Sequence, residues 1–247
     1  MSESPVAIVT GAGSGLGRAL ATSLGRNGWR LLLVGRRPER LAGTAATLPD
    51  GHARTVAVDV GAAGAAERIV DEALEGFGRI DALVNNAGVA RFAPLGEFDV
   101  KDVELMVYTN FVGPLALIHH AVPELARNRG AVVNVGSIGG LLALPGRAAY
   151  GAVKAALHHL TRSLARELAP DVRVNTVAPG AIDTEMYDEL GWDADQVAEL
   201  RAEMVRTTPL GRMGTPDDVV PWIEMLLGRA GAWMTGACVV VDGGRSC

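Results

Sequence analysis

The chain has 247 residues, a length that allows one large α/β domain or two small ones. Hydrophobic residues make up 49% of it and aromatic residues only 4%, so a core has to be built from Ala, Val, Leu and Ile. A net charge of −5 without any basic block argues against nucleic-acid binding, and weakly against binding to anionic membranes.

The cysteine content and the N-terminal sequence indicate a reducing compartment. Two cysteines, Cys238 and Cys247, do not make a disulfide framework. The opening sequence MSESPVAIVTG lacks the basic and apolar regions of a signal peptide. No apolar run approaches the ~20 residues that span a bilayer. We therefore expect a soluble cytoplasmic protein that binds neither nucleic acid nor membrane.

Short β-branched runs alternate along the chain with longer Ala-, Leu- and Arg-rich stretches of helical spacing. The runs predict strands at residues 5–11, 30–35, 54–60, 81–88, 131–137, 172–180 and 237–244. Between the first strands, one predicted helix stops at Gly28 and the next has Pro38 in its first turn. After residue 88 we predict a long helical region with a break near Pro94, and later a helix that contains Tyr150 and runs to about Leu168.

Continuous apolar strands that alternate with helices indicate a parallel sheet covered on both faces. With right-handed crossovers, this pattern predicts a doubly wound, seven-stranded α/β sheet of the Rossmann type. The chain contains no linker, repeat or low-complexity stretch, so we interpret residues 1–247 as one domain. Residues 183–216, approximately, interrupt the alternation and are the candidate lid over the site.

The sequence TGAGSGLG follows the first predicted strand and opens a helix. Backbone N–H groups at such a position can face a pyrophosphate, and glycines let it approach. The strict G-x-G-x-x-G pattern fails at Leu16, but Gly11, Gly15 and Gly17 fit the spacing G-x-x-x-G-x-G. Taken alone, such a loop is more commonly an ordinary tight turn between a strand and a helix.

The end of the second strand reads VGRR, with Arg36 and Arg37 where an NAD-binding protein would place an acid for the ribose. A planar guanidinium binds a 2′-phosphate, which an acid would repel. The sequence therefore favours NADP(H) over NAD(H). The alternative is that both arginines are solvated surface charges.

Tyr150 and Lys154 are spaced to lie on one helix face. An unperturbed tyrosine has a pKa near ~10, and a nearby cation lowers that pKa. Lys154 is one of only two lysines in a chain with 23 Lys and Arg residues. Ser137 ends the fifth predicted strand, where parallel sheets hold their ligands, and its hydroxyl could bind a substrate carbonyl. The alternatives are a packed tyrosine, a solvated lysine and a serine that caps the strand end.

These motifs, taken together and in order, resemble the short-chain dehydrogenase/reductase family, in its branch of about 250 residues. The resemblance covers essentially the whole chain. It rests on TGAGSGLG, the DV at 59–60, NNAG at 85–88, Asn110 in TNFVG, Ser137 in VNVGS, YGAVK, VNTVAPGAIDT and the terminal VDGG.

The resemblance implies a role for each matching residue. Ser137 would polarise a carbonyl oxygen, and Tyr150 would donate a proton to it or remove one in the oxidative direction. Lys154 would lower the pKa of Tyr150 and bind the nicotinamide ribose, and Asn110 would support a proton relay through water to Lys154. The implied cofactor contacts are Gly11, Ser14, Gly15, Leu16 and Gly17 at the pyrophosphate, Asp59, Val60, Asn86 and Gly88 at the adenosine, and Pro179, Gly180, Ile182 and Thr184 at the nicotinamide.

The implied function is NADP(H)-dependent hydride transfer between the nicotinamide and a small-molecule carbonyl or alcohol carbon, most plausibly in a ketone or a 3-oxoacyl group. Many NADP-dependent relatives also have a basic residue at the position of Ser14, so Arg36, with Arg37, is left as the main contact to the 2′-phosphate. The alternatives are an NAD-dependent alcohol or hydroxysteroid-type dehydrogenase and a non-catalytic dinucleotide-binding sensor or scaffold. The family also implies a homodimer or homotetramer, formed through the helices around residues 111–126 and 149–168.

Further residues carry weaker signals. His119 with His120, and His158 with His159, are adjacent pairs, and neighbours on a helix point in different directions, so we expect no metal site. The segments that contain four apolar residues either face a substrate or pack the lid, and the sequence does not separate the two. These residues are Phe92, Met186, Tyr187 and Trp192.

Overall fold

The computed structural model describes residues 4–247, which form one seven-stranded sheet with helices on both faces. All neighbouring strands are parallel, in the order β3-β2-β1-β4-β5-β6-β7. This arrangement confirms the predicted doubly wound sheet. The strands are β1 Val6–Thr10, β2 Arg30–Gly35, β3 Ala53–Ala57, β4 Ala82–Asn85, β5 Ala131–Val135, β6 Arg173–Pro179 and β7 Cys238–Val241.

The helices of the described residues are α1 Gly15–Arg26, α2 Pro38–Ala45, α3 Ala65–Phe77, α4 Val100–Val107, α5 Gly113–Arg127, α6 Ala148–Glu167, α7 Ala194–Arg206 and α8 Pro216–Leu227. A π turn, Tyr108–Val112, joins α4 to α5, and a short 3₁₀ turn, Glu185–Glu189, precedes α7. The Tyr150 helix, α6, has the predicted extent.

Both faces of the sheet are covered, as its apolar strands require. In β2, Leu31 and Leu33 pack into a core with α1, α2 and α8. The alternating residues Leu32 and Val34 pack on the opposite face with α3, α5 and the end of α6. All four side chains are fully buried. Successive residues of a strand point to opposite faces of the sheet, and helices cover both faces here.

Two parts of the predicted element list are wrong. Residues 86–99 contain no helix, whereas we predicted a helical region with only a break at Pro94; α4 begins at Val100, where Asp99 accepts a hydrogen bond from the amide of Lys101. Helices α7 and α8 were not predicted. Both have capping boxes, Asp193 with Gln196 and Thr215 with Asp218, which the sequence contains as helix-start signals.

Several strands are shorter than predicted, because pairing stops where the chain turns into the crevice at the carboxyl edge of the sheet. Strand β4 ends at Asn85, which is the last residue paired with β5, rather than at residue 88. Likewise β3 covers 53–57 instead of 54–60, and β7 covers 238–241 instead of 237–244. The residues just beyond β3 and β4 line the site described below.

A continuous helical stretch, Val100–Arg127, is long and apolar enough to cross a membrane by length and composition alone, with a mean hydropathy of 1.3. We did not predict it from the sequence, because no unbroken apolar run in it is long enough to span a bilayer. Core helices of globular proteins pass the same test, and here Leu117, Ile118 and Leu125 are buried in the core beneath the sheet. The stretch is therefore weak evidence for a membrane span.

A buried chain of polar side chains fixes α6 against the sheet. Asn85 donates a hydrogen bond to Asn134 (2.8 Å), and Asn134 donates one to the hydroxyl of Thr161 on α6 (2.9 Å). Thr176 on β6 donates to the same hydroxyl (2.8 Å). A buried polar group without a hydrogen-bond partner costs free energy, so this series of hydrogen bonds specifies one position of α6 across β4, β5 and β6.

Gly17 packs the first turn of α1 against the loop that follows β1. A Cβ at Gly17 would lie 2.2 Å from the carbonyl oxygen of Gly11 and 2.5 Å from Nδ2 of Asn86, which is closer than atoms can approach. Gly43, in α2, is also helical, but a Cβ there would meet nothing within 4 Å. The two glycines therefore form a matched pair of crowded and open positions.

We expect Gly17→Ala to lower the free energy of unfolding by about 1–3 kcal/mol, because the loop has to move away from the added methyl group. Gly43→Ala should raise it by about 0.5–1 kcal/mol, since alanine is the better helix former. Urea unfolding monitored by circular dichroism measures both changes. Equal stability of the two variants would contradict the close packing at Gly17.

Candidate active site

A groove runs along the carboxyl edge of the sheet, where loops follow β1, β2, β4, β5 and β6. It extends from the two arginines after β2 to Tyr150 and Lys154 on α6. Seventeen of the predicted site residues line it: Gly11, Ser14, Gly15, Leu16, Arg36, Arg37, Asp59, Val60, Asn86, Gly88, Ser137, Tyr150, Lys154, Pro179, Gly180, Ile182 and Thr184. Gly17 and Asn110 lie behind the wall of the groove.

The glycine loop presents the N-terminus of α1 to this groove. Gly11 and Gly15 have φ angles of +67° and +46°, a region that side chains rarely adopt. Ser14 is the N-cap, but its side chain makes no capping hydrogen bond, so the first amides of α1 are not satisfied by a local cap. The amide of Gly15 instead donates to Oε2 of Glu185, at 3.1 Å. A carboxylate thus already binds where helix amides favour an anion.

The loops after β1 and β4 are tied together by Thr10 and Asn86. The Thr10 hydroxyl accepts hydrogen bonds from the amides of Asn86 (3.0 Å) and Ala87 (2.9 Å). Nδ2 of Asn86 donates in return to the carbonyl of Thr10, at 2.8 Å. The side chain of Asn86 therefore holds the wall of the groove, and what it offers a ligand is a fixed backbone. Across the groove, Asp59 uses Oδ1 to accept from the amide of Gly61 (2.9 Å).

Arg36 and Arg37 reach the outer end of the groove, and both contact one carboxylate. Nη1 of Arg37 lies 2.7 Å from Oε1 of Glu189, and Nη2 of Arg36 lies 3.7 Å from Oε2 of the same residue. Both guanidinium groups remain partly exposed. They are therefore available to an anionic ligand at this end once Glu189 moves aside.

Tyr150 and Lys154 lie on the face of α6 that contacts the end of β5. Tyr150 is 8% exposed and Lys154 is 5% exposed. Nζ of Lys154 donates to the carbonyl of Val135, the last residue of β5, at 2.9 Å, and it lies 5.9 Å from the centre of the Tyr150 ring. The side chains of Tyr150 and Ser137 meet here: a Cβ added at Gly139 would lie 3.3 Å from Oγ of Ser137 and 3.3 Å from Cε1 of Tyr150. Two hydroxyl groups and one amine therefore converge at the inner end of the groove.

Burial dominates the ionisation of this group. It raises the pKa of Tyr150, and the hydrogen bond with Ser137 and the charge of Arg147 act in the opposite direction. Burial also lowers the pKa of Lys154, to about 8. The resemblance implied that Lys154 is the cation that lowers the pKa of Tyr150. The charge that opposes burial at Tyr150 is that of Arg147. The lowering of the Tyr150 pKa by Lys154, which the resemblance implies, stays a prediction.

Asn110 lies in the π turn and is almost fully buried. Its Oδ1 accepts from the amide of Val89 (2.9 Å), and its Nδ2 donates to the carbonyl of Val89 (2.8 Å). A Cβ added at Gly88 would lie 3.1 Å from this Oδ1 and 3.7 Å from Nζ of Lys154, so the three groups are close neighbours. Asn110 therefore fixes the loop beside Lys154.

His158, one turn after Lys154, is a site residue that the sequence did not indicate. It is buried, and its Nε2 accepts a hydrogen bond of 3.4 Å from the backbone amide of Ser137. A Cβ at Gly136 would lie 2.2 Å from Nε2, and one at Gly140 would lie 2.8 Å from Cε1, so two glycines make room for the ring. Burial lowers the pKa of His158 to about 4, which keeps the ring neutral and able to accept.

Apolar side chains surround the approach to Tyr150. Phe92 packs edge-on against Tyr150, with ring centres 5.5 Å apart, and against Trp192 at 6.2 Å. The guanidinium of Arg147 stacks over Phe92, at 4.9 Å from the ring centre. Tyr187 is buried and lines the groove. Phe92, Tyr187 and Trp192 belong with Met186 to one hydrophobic cluster. Met186 and Tyr187 also line the groove, whereas Phe92 and Trp192 pack behind them.

The other histidines lie elsewhere. His119 and His120 are exposed on α5, with ring centres 5.2 Å apart, and His159 is exposed on α6. Among residues 4–247, no group of three His, Cys, Asp or Glu side chains is placed to hold a metal ion.

The donors along the groove fit a dinucleotide. A helix N-terminus whose first amide already binds the carboxylate of Glu185 suits a pyrophosphate, and two guanidinium groups suit a further phosphate. Glycines leave space in the groove for a ligand. A Cβ at Gly15 would lie 3.1 Å from Thr184, and one at Gly88 would fill the space beside Lys154. Two hydroxyl groups and an amine at the inner end suit an oxygen that gains or loses a proton.

Comparison with known proteins gives consistent results. A family model described as Enoyl-(Acyl carrier protein) reductase matches residues 11–246. The putative ketoacyl reductase 2 of the granaticin polyketide synthase of Streptomyces violaceoruber is 39% identical over 248 residues, which cover 98% of this chain and 96% of that protein. A crystal structure from Brucella melitensis, titled short-chain dehydrogenase/reductase SDR:Glucose/ribitol dehydrogenase, has a TM-score of 0.90 and 34% identity, and covers 98% of this chain and 96% of that one.

Proposed function

The chain belongs to the short-chain dehydrogenase/reductase family of oxidoreductases, and on that premise we propose that it is an NADP(H)-dependent reductase of a ketone or 3-oxoacyl group. Members of this family bind a nicotinamide dinucleotide, and the similar proteins include ketoacyl reductases. The observation that carries the proposal is that the side chains of Ser137 and Tyr150 meet at the inner end of the groove, where a Cβ added at Gly139 would lie 3.3 Å from Oγ of Ser137 and from Cε1 of Tyr150.

This pair of hydroxyl groups favours a carbonyl as the reacting group. When bound, the nicotinamide supplies or accepts a hydride at a carbon atom. We propose that Ser137 donates a hydrogen bond to the carbonyl oxygen and that Tyr150 donates the proton that oxygen needs as it becomes an alcohol. In an enoyl thioester the oxygen next to the reacting bond belongs to the conjugated carbonyl, which is still a carbonyl in the product, whereas the oxygen of a reduced carbonyl has to gain a proton. We therefore propose carbonyl reduction, although the matching family model is described as an enoyl reductase.

Lys154 and Asn110 would support this proton transfer. Lys154 is buried next to Tyr150 and is tied to β5, so its charge is fixed in the site. We propose that it binds the nicotinamide ribose and replaces the proton that Tyr150 gives up. Both polar atoms of the Asn110 side chain are used by Val89. This favours a positioning role, in which Asn110 holds the loop that contains Gly88 beside Lys154 and any relay water.

Arg36 and Arg37 support NADP(H) as the cofactor, because two partly exposed guanidinium groups meet at the outer end of the groove. A carboxylate does reach this end, but it is Glu189, on the far side of the groove from β2. An NAD-dependent alcohol or hydroxysteroid-type dehydrogenase is the alternative if the arginines only pair with Glu189. The remaining predicted cofactor residues would act through backbone and wall contacts along the groove.

The wall near Tyr150 supports a largely apolar substrate, since Met186 and Tyr187 line it and pack with Phe92 and Trp192. We propose that residues 183–216 act as a lid, because its first turn lines the groove. We also propose one cytoplasmic domain that forms a homodimer or homotetramer. The exposed apolar side chain of Leu115 (37% exposed) supports association through α5, one of the two helices that the resemblance implies.

We expect Tyr150→Phe to lower kcat for NADPH-dependent ketone reduction by about 10²- to 10⁴-fold, because the proton donor is lost. NADPH binding should persist, since the ring remains. Tyr108→Phe is the matched control: it removes the same hydroxyl from an exposed tyrosine and should leave kcat unchanged. Absorbance of NADPH during turnover measures both. Full activity of Tyr150→Phe would contradict the proposed role, and a wild-type protein that binds NADPH but reduces no carbonyl would favour the sensor or scaffold.

The pH profile tests the buried amine. With a pKa of about 8, Lys154 is protonated below that pH and neutral above it. We therefore expect kcat/KM for the ketone, measured with saturating NADPH, to be constant below pH 8 and to fall as pH rises through that value. Lys154→Met should reduce kcat/KM and remove the decline. A decline that survives in Lys154→Met would assign it to another group.

Cofactor choice is tested by removing one guanidinium at a time. We expect Arg36→Gln and Arg37→Gln each to weaken NADPH binding by about 10- to 100-fold, the usual cost of losing a hydrogen bond between charged groups. NADH binding should change by less than about two-fold, because NADH has no 2′-phosphate for these side chains to contact. Arg26→Gln, in the last turn of α1, is the control. Titrations that follow nicotinamide fluorescence give the dissociation constants of NADPH and NADH for the wild-type protein and for each variant. Equal losses for NADPH and NADH would contradict the assignment of the arginines to the 2′-phosphate.

A further inference from the structure

The 3₁₀ turn Glu185–Glu189, called here the acidic turn, carries a glutamate at each end. Both side chains are partly exposed, but each carboxylate is paired with groups of the groove. Each contacts a different group of donors along the groove, and those donors come from the loops after β1 and β2. The function described above assigns neither glutamate a role.

The first carboxylate occupies the glycine loop. Oε2 of Glu185 accepts from the amide of Gly15 at 3.1 Å, and Oε1 lies 3.2 Å from Nη2 of Arg18 on the first turn of α1. Gly15 opens α1, so the carboxylate sits on the positive end of the helix. This is the position that a pyrophosphate would need.

The second carboxylate occupies the arginine pair. Glu189 contacts Arg37 at 2.7 Å and Arg36 at 3.7 Å. Its own backbone carbonyl accepts a hydrogen bond of 2.7 Å from Nη1 of Arg91, in the loop after β4. The C-terminal end of the acidic turn is therefore held across the groove, and its carboxylate lies where a 2′-phosphate would need the same two guanidinium groups.

Both contacts follow from one spacing. Glu185 and Glu189 are four residues apart and begin and end the same short turn, so a single position of that turn brings both carboxylates to the groove. A dinucleotide phosphate and a glutamate cannot use the same donors at once, because both are anions that need the same N–H groups. Any ligand with phosphates at these two points has to displace the acidic turn.

We propose that Glu185 and Glu189 are specificity-determining residues that compete internally with the two phosphate groups of the cofactor. Glu185 opposes the pyrophosphate, which NADPH and NADH share. Glu189 opposes the 2′-phosphate, which only NADPH has. The inference rests on the proposed function and deepens it. Each phosphate of the cofactor has to replace one carboxylate, and this competition sets the affinity for each nucleotide. Binding therefore moves the acidic turn, which belongs to the proposed lid.

The test is equilibrium binding of NADPH and NADH to Glu185→Gln and Glu189→Gln, with no substrate present. Glutamine keeps the shape and removes the charge. Glu189→Gln should tighten NADPH binding by about two- to five-fold, the range expected from partly exposed ion pairs, and leave NADH binding unchanged. Glu185→Gln should tighten binding of both nucleotides by a similar factor. Glu199→Gln is the matched control, because Glu199 lies in the same segment on α7 but pairs with Arg206, outside the groove.

A second probe separates the 2′-phosphate from the rest of the cofactor. 2′,5′-ADP and 5′-AMP differ only in that group, so Glu189→Gln should tighten binding of 2′,5′-ADP and not of 5′-AMP. Thermal unfolding of each variant shows that it is folded.

Three results would count against the inference, and they are distinguishable. Wild-type protein that binds NADPH, with both variants binding equally or more weakly, overturns the competition and leaves the proposed function standing. A Glu189→Gln effect of equal size on NADPH and NADH overturns the assignment of Glu189 to the 2′-phosphate. Wild-type protein and variants that bind neither nucleotide overturn the proposed function and this inference together.

Discussion

Parallel pairing of every strand is the constraint on which this site depends. Because all seven strands run in one direction, their carboxyl ends share one edge, and the loops that follow them meet there. The groove is formed by four parts that lie far apart in sequence: the glycine loop, the arginine pair, Ser137 and the segment after β6. They meet only because the strands before them end at the same edge. The groove is therefore a property of the topology, and the side chains along it decide what it binds.

The second determinant is the docking of α6 across β4, β5 and β6. The buried hydrogen bonds through Asn134 and Thr161 set its position, and the bond from Lys154 to the end of β5 extends the same attachment to the site. His158 adds a contact to the amide of Ser137. A single helix thus places Tyr150, Lys154 and the support for Ser137, so these groups keep a fixed geometry.

The sequence predicted what depends on local pattern and missed what depends on distant contacts. Strands such as β2 were found because buried parallel strands are continuously apolar, and α6 was found from its helical spacing. The capping box at Thr215 would have revealed α8, but we did not use it. Glu185 could not have been found this way, since its partner Gly15 is 170 residues away. The same holds for Glu189 and Arg37, which are 152 residues apart.

The central claim is that the groove transfers a hydride from NADPH to a carbonyl carbon, and isotope transfer tests it most directly. The protein would be incubated with a 3-oxoacyl thioester and NADPH that carries deuterium at both C4 positions of the nicotinamide, and the product analysed by mass spectrometry and NMR. The account predicts an alcohol with deuterium on the carbon that was the carbonyl carbon, and a much smaller yield from equally deuterated NADH. Binding of NADPH without any deuterium in the product, or efficient transfer only from NADH, would contradict it.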